Sequence, residues 1–253
     1  EDDETEIGRL GGALNRMLGQ IEAGYRAREA SERKLRRFVA DASHELRTPL
    51  AAVRAYAELF TRGAADRPDD LERSMKGIGR ESERMSLLVE DLLLLARLDE
   101  GRPLAQDRVR LDEVVREAID AARAVDPDRP IESSLEETVV VGDRDRLRQV
   151  VDNLLSNVRA HTPPASPAYV DVSCAGGRAL VAVRDDGPGL DAEQAAHVFE
   201  RFYRTDASRT RASGGVGLGL SIVAAVAAAH GGTASVESEP SLGTTFRIEL
   251  PLA

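Results

Sequence analysis

The chain has 253 residues, 42% hydrophobic but only 4% aromatic with no tryptophan, which favours two modest domains, one helical and one mixed, over a single large core. A formal net charge of −10 argues against a nucleic-acid backbone as the main partner and leaves nucleotides and proteins open. A single cysteine, Cys174, excludes an intrachain disulfide and fits a reducing compartment, and its strand-like surroundings "VDVSCAGG" predict a small buried side chain.

The acidic start "EDDETEIG" does not read as a signal peptide, and no run approaches the ~20 apolar residues of a membrane span, so any membrane link is expected outside this chain. Up to about residue 30, Ile7, Leu10, Leu14, Met17 and Ile21 recur at spacings of three and four, a narrow seam as in a coiled coil. From Leu35 the apolar positions Phe38, Ala42, Leu46, Pro49, Val53, Ala57 and Phe60 fall within about 40° of one line at ~100° per residue, which predicts a long amphipathic helix. The polar break "TRGAADRPDD" follows. A second stripe, Leu71, Met75, Ile78, Ser82, Met85, Val89 and Leu92, runs into the apolar "LLLLA" that ends at Ala96. Two such helices make a helical hairpin, and one hairpin has too few layers to bury both stripes, so a dimeric four-helix bundle is expected.

After "DEGRP" the texture changes. Short strand-like runs ("VVVGD", "AYVDVSCA", "RALVAVRDD", "TASVES", "TTFRIELPL") alternate with helical ones over Leu111 to Ala124, Asp145 to His161 and Gly217 to His230. "CAGGRA" reads as a hairpin turn, and an α+β domain is predicted from about residue 103.

The stretch "FVADASHELRTPL" holds the first of four histidines. His44 lies two residues from Ala42 and two from Leu46, about 200° from each, so it faces away from the apolar line and a core role is disfavoured. "HELRT" begins like a zinc-binding HExxH, but Thr48 stands where the second ligand would be and no Cys/His cluster replaces it. Either His44 is an ordinary solvated side chain, or it is displayed to react. Glu45 can accept a ring proton while the other nitrogen attacks an electrophile such as phosphorus. Pro49 is expected to disturb the helix there by removing one backbone bond.

Three separated segments point toward a nucleotide. "DNLLSN" puts Asn153 and Asn157 one turn apart on a helix, where amide oxygens can coordinate a hydrated Mg²⁺ held mainly by phosphates. "VRDDGPGL" follows a strand; Asp185 can accept a hydrogen bond from an exocyclic amine such as adenine N6, and Gly187 and Gly189 let the backbone pass close to the base. "GGVGLGL", with Gly215, Gly217 and Gly219, leads into a helix whose free amides can meet phosphate oxygens, although it lacks the Lys-Ser/Thr ending of a P-loop. Between the last two, "FERFYRTDASRTRASGG" suits a mobile lid with Arg204, Arg209 or Arg211 able to reach phosphates. Taken singly, each segment also fits a bland reading: surface amides, an ordinary Pro-Gly turn, a solvated loop.

In their order these motifs resemble the sensor histidine kinases of two-component systems. "HELRTPL" is similar to the phosphoacceptor H box, Asn153 with Asn157 to the N box, "DDGPG" to the G1 box, "FERFYR" to the F box, "GVGLGL" to the G2 box, and "GTTF", with Thr244, to the last glycine motif. "TEIGRLGGALNRM" resembles the second half of a HAMP linker, the relay that usually follows a transmembrane helix. The resemblance implies a HAMP half and connecting helix over residues 1–30, a dimerisation and phosphotransfer hairpin over 31–102, and over 103–253 a two-layer α/β sandwich that binds ATP, shared with DNA gyrase and mismatch-repair ATPases. It implies that ATP phosphorylates His44, that Glu45 assists as base, and that Thr48 with Glu45 helps to dephosphorylate a response regulator receiver domain. It further implies that Asn157 binds Mg²⁺, that Asp185 reads adenine, that a flat ring at His161 lies on the nucleotide, and that the protein is a homodimer on the cytoplasmic side of a membrane. Where the gyrase-like relatives carry a water-activating Glu, this chain has Asn153, which cannot act as a base and so favours transfer over hydrolysis.

Two departures stand out. The family often has Lys three residues after the metal-binding Asn, where this chain has Ala160; Arg159 is adjacent, but one residue around a helix is about 100°. Val216 stands where Thr is common. Two rival readings stay open: an ATP-hydrolysing conformational switch, and a catalytically weak phosphotransfer scaffold.

Overall fold

The computed structural model describes residues 6–61, 67–204 and 216–253; the side chains of Ile7, Leu10, Leu14 and Leu35, and all of Arg209, Arg211 and Gly215, lie outside the described residues. The chain divides into two compact units, Glu1–Ser82 and Glu83–Ala253.

Helix α1 (Glu6–Thr61) fills most of the first unit. It runs unbroken through Pro49, contrary to a marked disturbance: one missing donor is a local loss, and the ring is buried on the apolar side of the helix. Helix α2 (Pro68–Asp99) starts in this unit and ends in the next. Pro68 opens it with a preset backbone angle, and Asp69 and Asp70 place negative charge against the positive end of its dipole. Tyr56 of α1 lies over Gly77 of α2. Of the predicted α1 stripe, Phe38, Ala42, Leu46 and Val53 are half-buried and Pro49 is buried. Phe60 of α1 and Met75 of α2, members of the predicted stripes, are exposed, as are Val39, Leu50 and Leu59 beside the α1 stripe, whereas Leu94 and Leu95 of the apolar run expected to stay partly wet are buried. Met17 and Ile21 of the early seam are exposed too.

In the second unit, strand-period alternation sets the sheet. β5 (Arg178–Asp185) buries Ala179, Val181, Val183 and Asp185, and β7 (Thr244–Pro251) buries Thr244, Phe246, Ile248 and Leu250, every second residue in each. With β2 (Ile131–Leu135), β4 (Ala168–Ala175) and β6 (Thr233–Ser238) they form one five-stranded sheet in the order β2-β4-β5-β7-β6, parallel only between β2 and β4. β1 (Asp107–Arg110) and β3 (Val139–Gly142) pair separately, antiparallel. Helices α3 (Leu111–Val125), α4 (Arg144–His161) and α6 (Gly219–Ala229) supply the second layer, burying among others Ile119, Leu154 and Ile222 completely or nearly so. Each such side chain contributes about 1.5–3 kcal/mol.

The β4–β5 hairpin closes on Gly176 and Gly177, with φ of 57° and 76°, the paired positive angles a two-residue turn of matching twist requires. Cys174 corrects an expectation: it is exposed, because β4 runs past the core into that turn, and its sulfur sits 3.2 Å from Thr138 Oγ1. Three short elements were not anticipated. β1 has 4 residues and β2 5, too few for a periodic signal. α5 (Ala192–His197) is closed by a capping box in which Asp191 accepts from Gln194 N and the Gln194 side chain accepts from Asp191 N, a D-x-x-Q signature readable in the sequence.

Candidate functional site

His44 sits on α1 with its side chain exposed; Glu45 beside it is half-buried and Thr48, one turn on, is exposed. The same turns direct Leu46 and Pro49 inward. Among the described residues none makes a hydrogen bond or ion pair to the His44 ring, so either nitrogen is accessible to a reactant. No metal partner stands near: no group of three or more His, Cys, Asp or Glu side chains could hold an ion among the described residues.

The second unit holds a cavity of about 500 Å³. α4 supplies one wall. Its N-cap Asp143 accepts from Arg146 N at 3.1 Å, while Asp143 N donates to His230 Nε2 at 2.9 Å and so joins the start of α4 to the end of α6. Val150, Val151, Leu154, Leu155 and Val158 are buried against the core, which turns the flank carrying Asn153, Asn157, Ala160 and His161 onto the cavity. Asp185 at the end of β5, Thr244 at the start of β7, Gly189, Arg204, Gly217 and Gly219 complete the predicted set around the same space. Gly187 does not line it but donates its N–H to Asp185 Oδ1 at 2.8 Å, and Gly215 lies outside the described residues.

Asp185 is 5% exposed. Burial pushes its pKa above the ordinary carboxylate value, against the opposing pull of the Gly187 and Thr244 N–H groups and the charge of Arg129. Arg129 is itself buried and fastens the loop after α4, donating to Thr162 Oγ1 at 2.7 Å and Ser166 O at 2.8 Å. Gly243 (φ 86°) brings the start of β7 so close that a Cβ there would strike the Asp185 carbonyl. Asn153 Nδ2 donates to Gly219 O at 3.3 Å, tying α4 to the head of α6. That head has no side-chain cap, which leaves its first N–H groups without a side-chain acceptor from the N-cap residue.

Sequence reasoning missed part of the wall. Arg84, Leu87, Leu88 and Asp91 of α2 line the cavity at i, i+3, i+4 and i+7, on a flank beside the predicted stripe positions Met85, Val89 and Leu92 that sequence analysis left unassigned. Burial, and then the charge of Glu90, push the Asp91 carboxyl up to about 6. Gln149 Nε2 of α4 donates to Asp91 Oδ1 at 3.4 Å, and Arg201 Nη2 holds both carboxylate oxygens of Asp99 at 2.7 and 2.9 Å. Arg159, beside Ala160, lines a separate cleft of about 240 Å³ between α3 and α4 and not this cavity.

Two family models match the chain: a "His Kinase A (phospho-acceptor) domain" over residues 34–101 and a "Histidine kinase-, DNA gyrase B-, and HSP90-like ATPase" over residues 142–253. The protein described as "Probable sensor histidine kinase TcrY" of Mycobacterium tuberculosis is 49% identical over 98% of this chain and 52% of its own length. Among solved structures, Acinetobacter baumannii histidine kinase AdeS matches with a TM-score of 0.66 at 25% identity, over 83% of this chain and 98% of that one. Full-length ShkA, solved in complex with AMPPNP, matches with a TM-score of 0.62 at 28% identity, over 85% of this chain and 45% of that one. The chain spans about half the length of the curated relatives it matches. Carrying a phosphoacceptor helical hairpin followed by a gyrase-like ATPase domain, this chain belongs to the sensor histidine kinases of two-component systems.

Proposed function

We propose that this chain is the cytoplasmic part of a membrane-anchored, homodimeric kinase that transfers the γ-phosphoryl group of ATP to His44, passes it to an aspartate of a response regulator, and also removes it from that partner. One observation carries the reading: the chain that displays, within its phosphoacceptor match, an exposed imidazole with no partner among the described residues also brings Asn157, Asp185, Gly217 and Gly219 of its ATPase match around one cavity. Its 500 Å³ falls in the range of about 300–1,000 Å³ usual for small-molecule sites.

An unprotonated ring nitrogen of His44 attacks the γ-phosphorus in line, the bond from that phosphorus to the bridging oxygen breaks, and ADP leaves with the electron pair. Glu45 accepts the proton from the other ring nitrogen. Asp185 accepts from the exocyclic amine of adenine, His161 offers a flat ring to the nucleotide, and Gly187, Gly189 and Thr244 shape the base end. The uncapped head of α6, with Gly215, Gly217 and Gly219, and Arg204 of the lid root meet the phosphates. The donor set fits Mg²⁺ held chiefly by phosphates, since Asn157 offers one neutral oxygen and no protein cage exists among the described residues; when bound, the ion offsets phosphate charge. Asn153 has no basic group, and its amide nitrogen is engaged with Gly219 O, which supports transfer over hydrolysis. Thr48 and Glu45 serve the dephosphorylation of the partner. The exposed apolar positions of α1 and α2 support a four-helix bundle with a second copy. Residues 1–30 resemble the end of a HAMP relay, and the membrane link belongs to segments outside this chain.

Incubation with γ-labelled ATP tests the reading: the protein should acquire an acid-labile, alkali-stable label. Steady phosphate release without labelling would identify an ATP-hydrolysing switch, and absence of ATP binding a phosphotransfer scaffold.

A further inference from the structure

The turn after Asn157 faces the nucleotide cavity, and its residue there, Ala160, brings no charge. Among the described residues the cavity wall contains two permanent cations, Arg204 and Arg84, against two carboxyl groups, Asp91 and Asp185. Without Arg84 the acids outnumber the permanent cations in a site that would receive a polyphosphate, a poor electrostatic match in a partly dehydrated space. Arg84 reaches the cavity from α2, whose cavity face is fixed by packing and not by chance exposure. Leu88, one turn on, is 2% exposed. Asp91 beyond it accepts from Gln149, and Asp99 is held bidentately by Arg201.

We infer that Arg84 contacts the polyphosphate of the bound nucleotide, supplying from α2 the cation that α4 lacks at position 160. The base end offers it nothing: Asp185 is placed there to accept from an amine, and a guanidinium, which only donates, complements phosphate oxygens. Arg84 is thus a binding residue carried by α2 and not by the helix that carries Asn153 and Asn157. This inference rests on the ATP-binding reading above.

Calorimetry on the whole chain with Mg²⁺ and AMP-PNP, and separately with adenosine, tests it. Arg84→Ala should weaken AMP-PNP binding about tenfold or more, the scale of a lost charge-assisted contact, and leave adenosine binding unchanged, while Arg84→Lys should retain most of the affinity. Adding Ala160→Lys to Arg84→Ala should restore AMP-PNP binding in part. Parent-like AMP-PNP affinity in Arg84→Ala, or equal loss of AMP-PNP and adenosine, would overturn the assignment. Failure of the parent itself to bind AMP-PNP would instead bring down the ATP reading, and this inference with it.

Discussion

In the first unit the candidate reactive group stands in solvent on a single helix, whereas in the second Asp185 is 5% exposed and held by β5, by the start of β7 and by the glycine loop between β5 and α5. A nucleophile that must meet an ATP-derived phosphorus and then a partner protein needs access, and an exposed position on one helix provides it. A nucleotide needs enclosure, and α2, α4, β5, β7, α6 and the segment ending at Arg204 all bring residues to provide it. The first kind of site concentrates its dependence on His44 and its neighbours within one turn of α1; the second spreads its dependence over many positions.

The sharpest break between the two is His44→Gln. It should reduce acid-labile labelling to background while AMP-PNP affinity stays at the parent value, because among the described residues no part of the cavity wall comes from α1. Label persisting in that variant would place the nucleophile elsewhere. In the other direction, Asp185→Asn should weaken nucleotide binding by about tenfold or more, since it removes the acceptor for the base amine and presents a second donor toward it. Unchanged calorimetric affinity would count against an adenine-reading role.

Next in size is Gly243→Ala, a substitution beside Thr244 at a residue that does not itself line the cavity. The positive φ and the approach to the Asp185 carbonyl together should lower stability by about 1–3 kcal/mol and loosen the carboxylate. Thermal melting should show the loss and nucleotide affinity should fall with it. An unaltered melting temperature would mean that the β7 start relaxes freely and does not hold Asp185.

How much of this was legible in the sequence follows the same division. The α1 stripe determined which way His44 points, because a helix fixes a side chain's direction by local spacing alone. The order of "DNLLSN", "DDGPG" and "GVGLGL" named a large part of the cavity wall, since each motif sits at the edge of an element whose periodicity was plain. What stayed hidden was long-range. Arg84 and Asp91 belong to a helix whose apolar face read as dimer surface, and only the tertiary arrangement turns that part of α2 toward Asn153 and Ala160. Cys174 failed for a related reason: strand alternation says which face a residue takes, not where the core ends beneath it. Thr48, by contrast, was legible as a neighbour of His44, and Thr48→Ala should slow dephosphorylation of the partner more than labelling of His44; equal loss of both would indicate a damaged helix.

The smallest expected effect concerns Asp91, the half-buried acid on α2. Its pKa in the folded chain is about 6 against an ordinary 3.8, with burial as the main cause and Glu90 the second. At pH below 3.8 the group is protonated whether the chain is folded or not, and it costs nothing; the stability so preserved is lost as pH rises through about 6, where the folded chain must hold a charge it has partly desolvated. Asp91→Asn keeps the shape and the acceptor for Gln149 Nε2 but stays neutral. The variant should therefore melt like the parent at low pH and above it once pH passes about 6, by a modest margin, since the side chain is only half-buried and water screens part of the penalty. Removing this charge should also tighten AMP-PNP binding at neutral pH, because the wall then carries fewer acids facing the phosphates. A melting difference that does not vary with pH would show that Asp91 titrates as an ordinary surface acid.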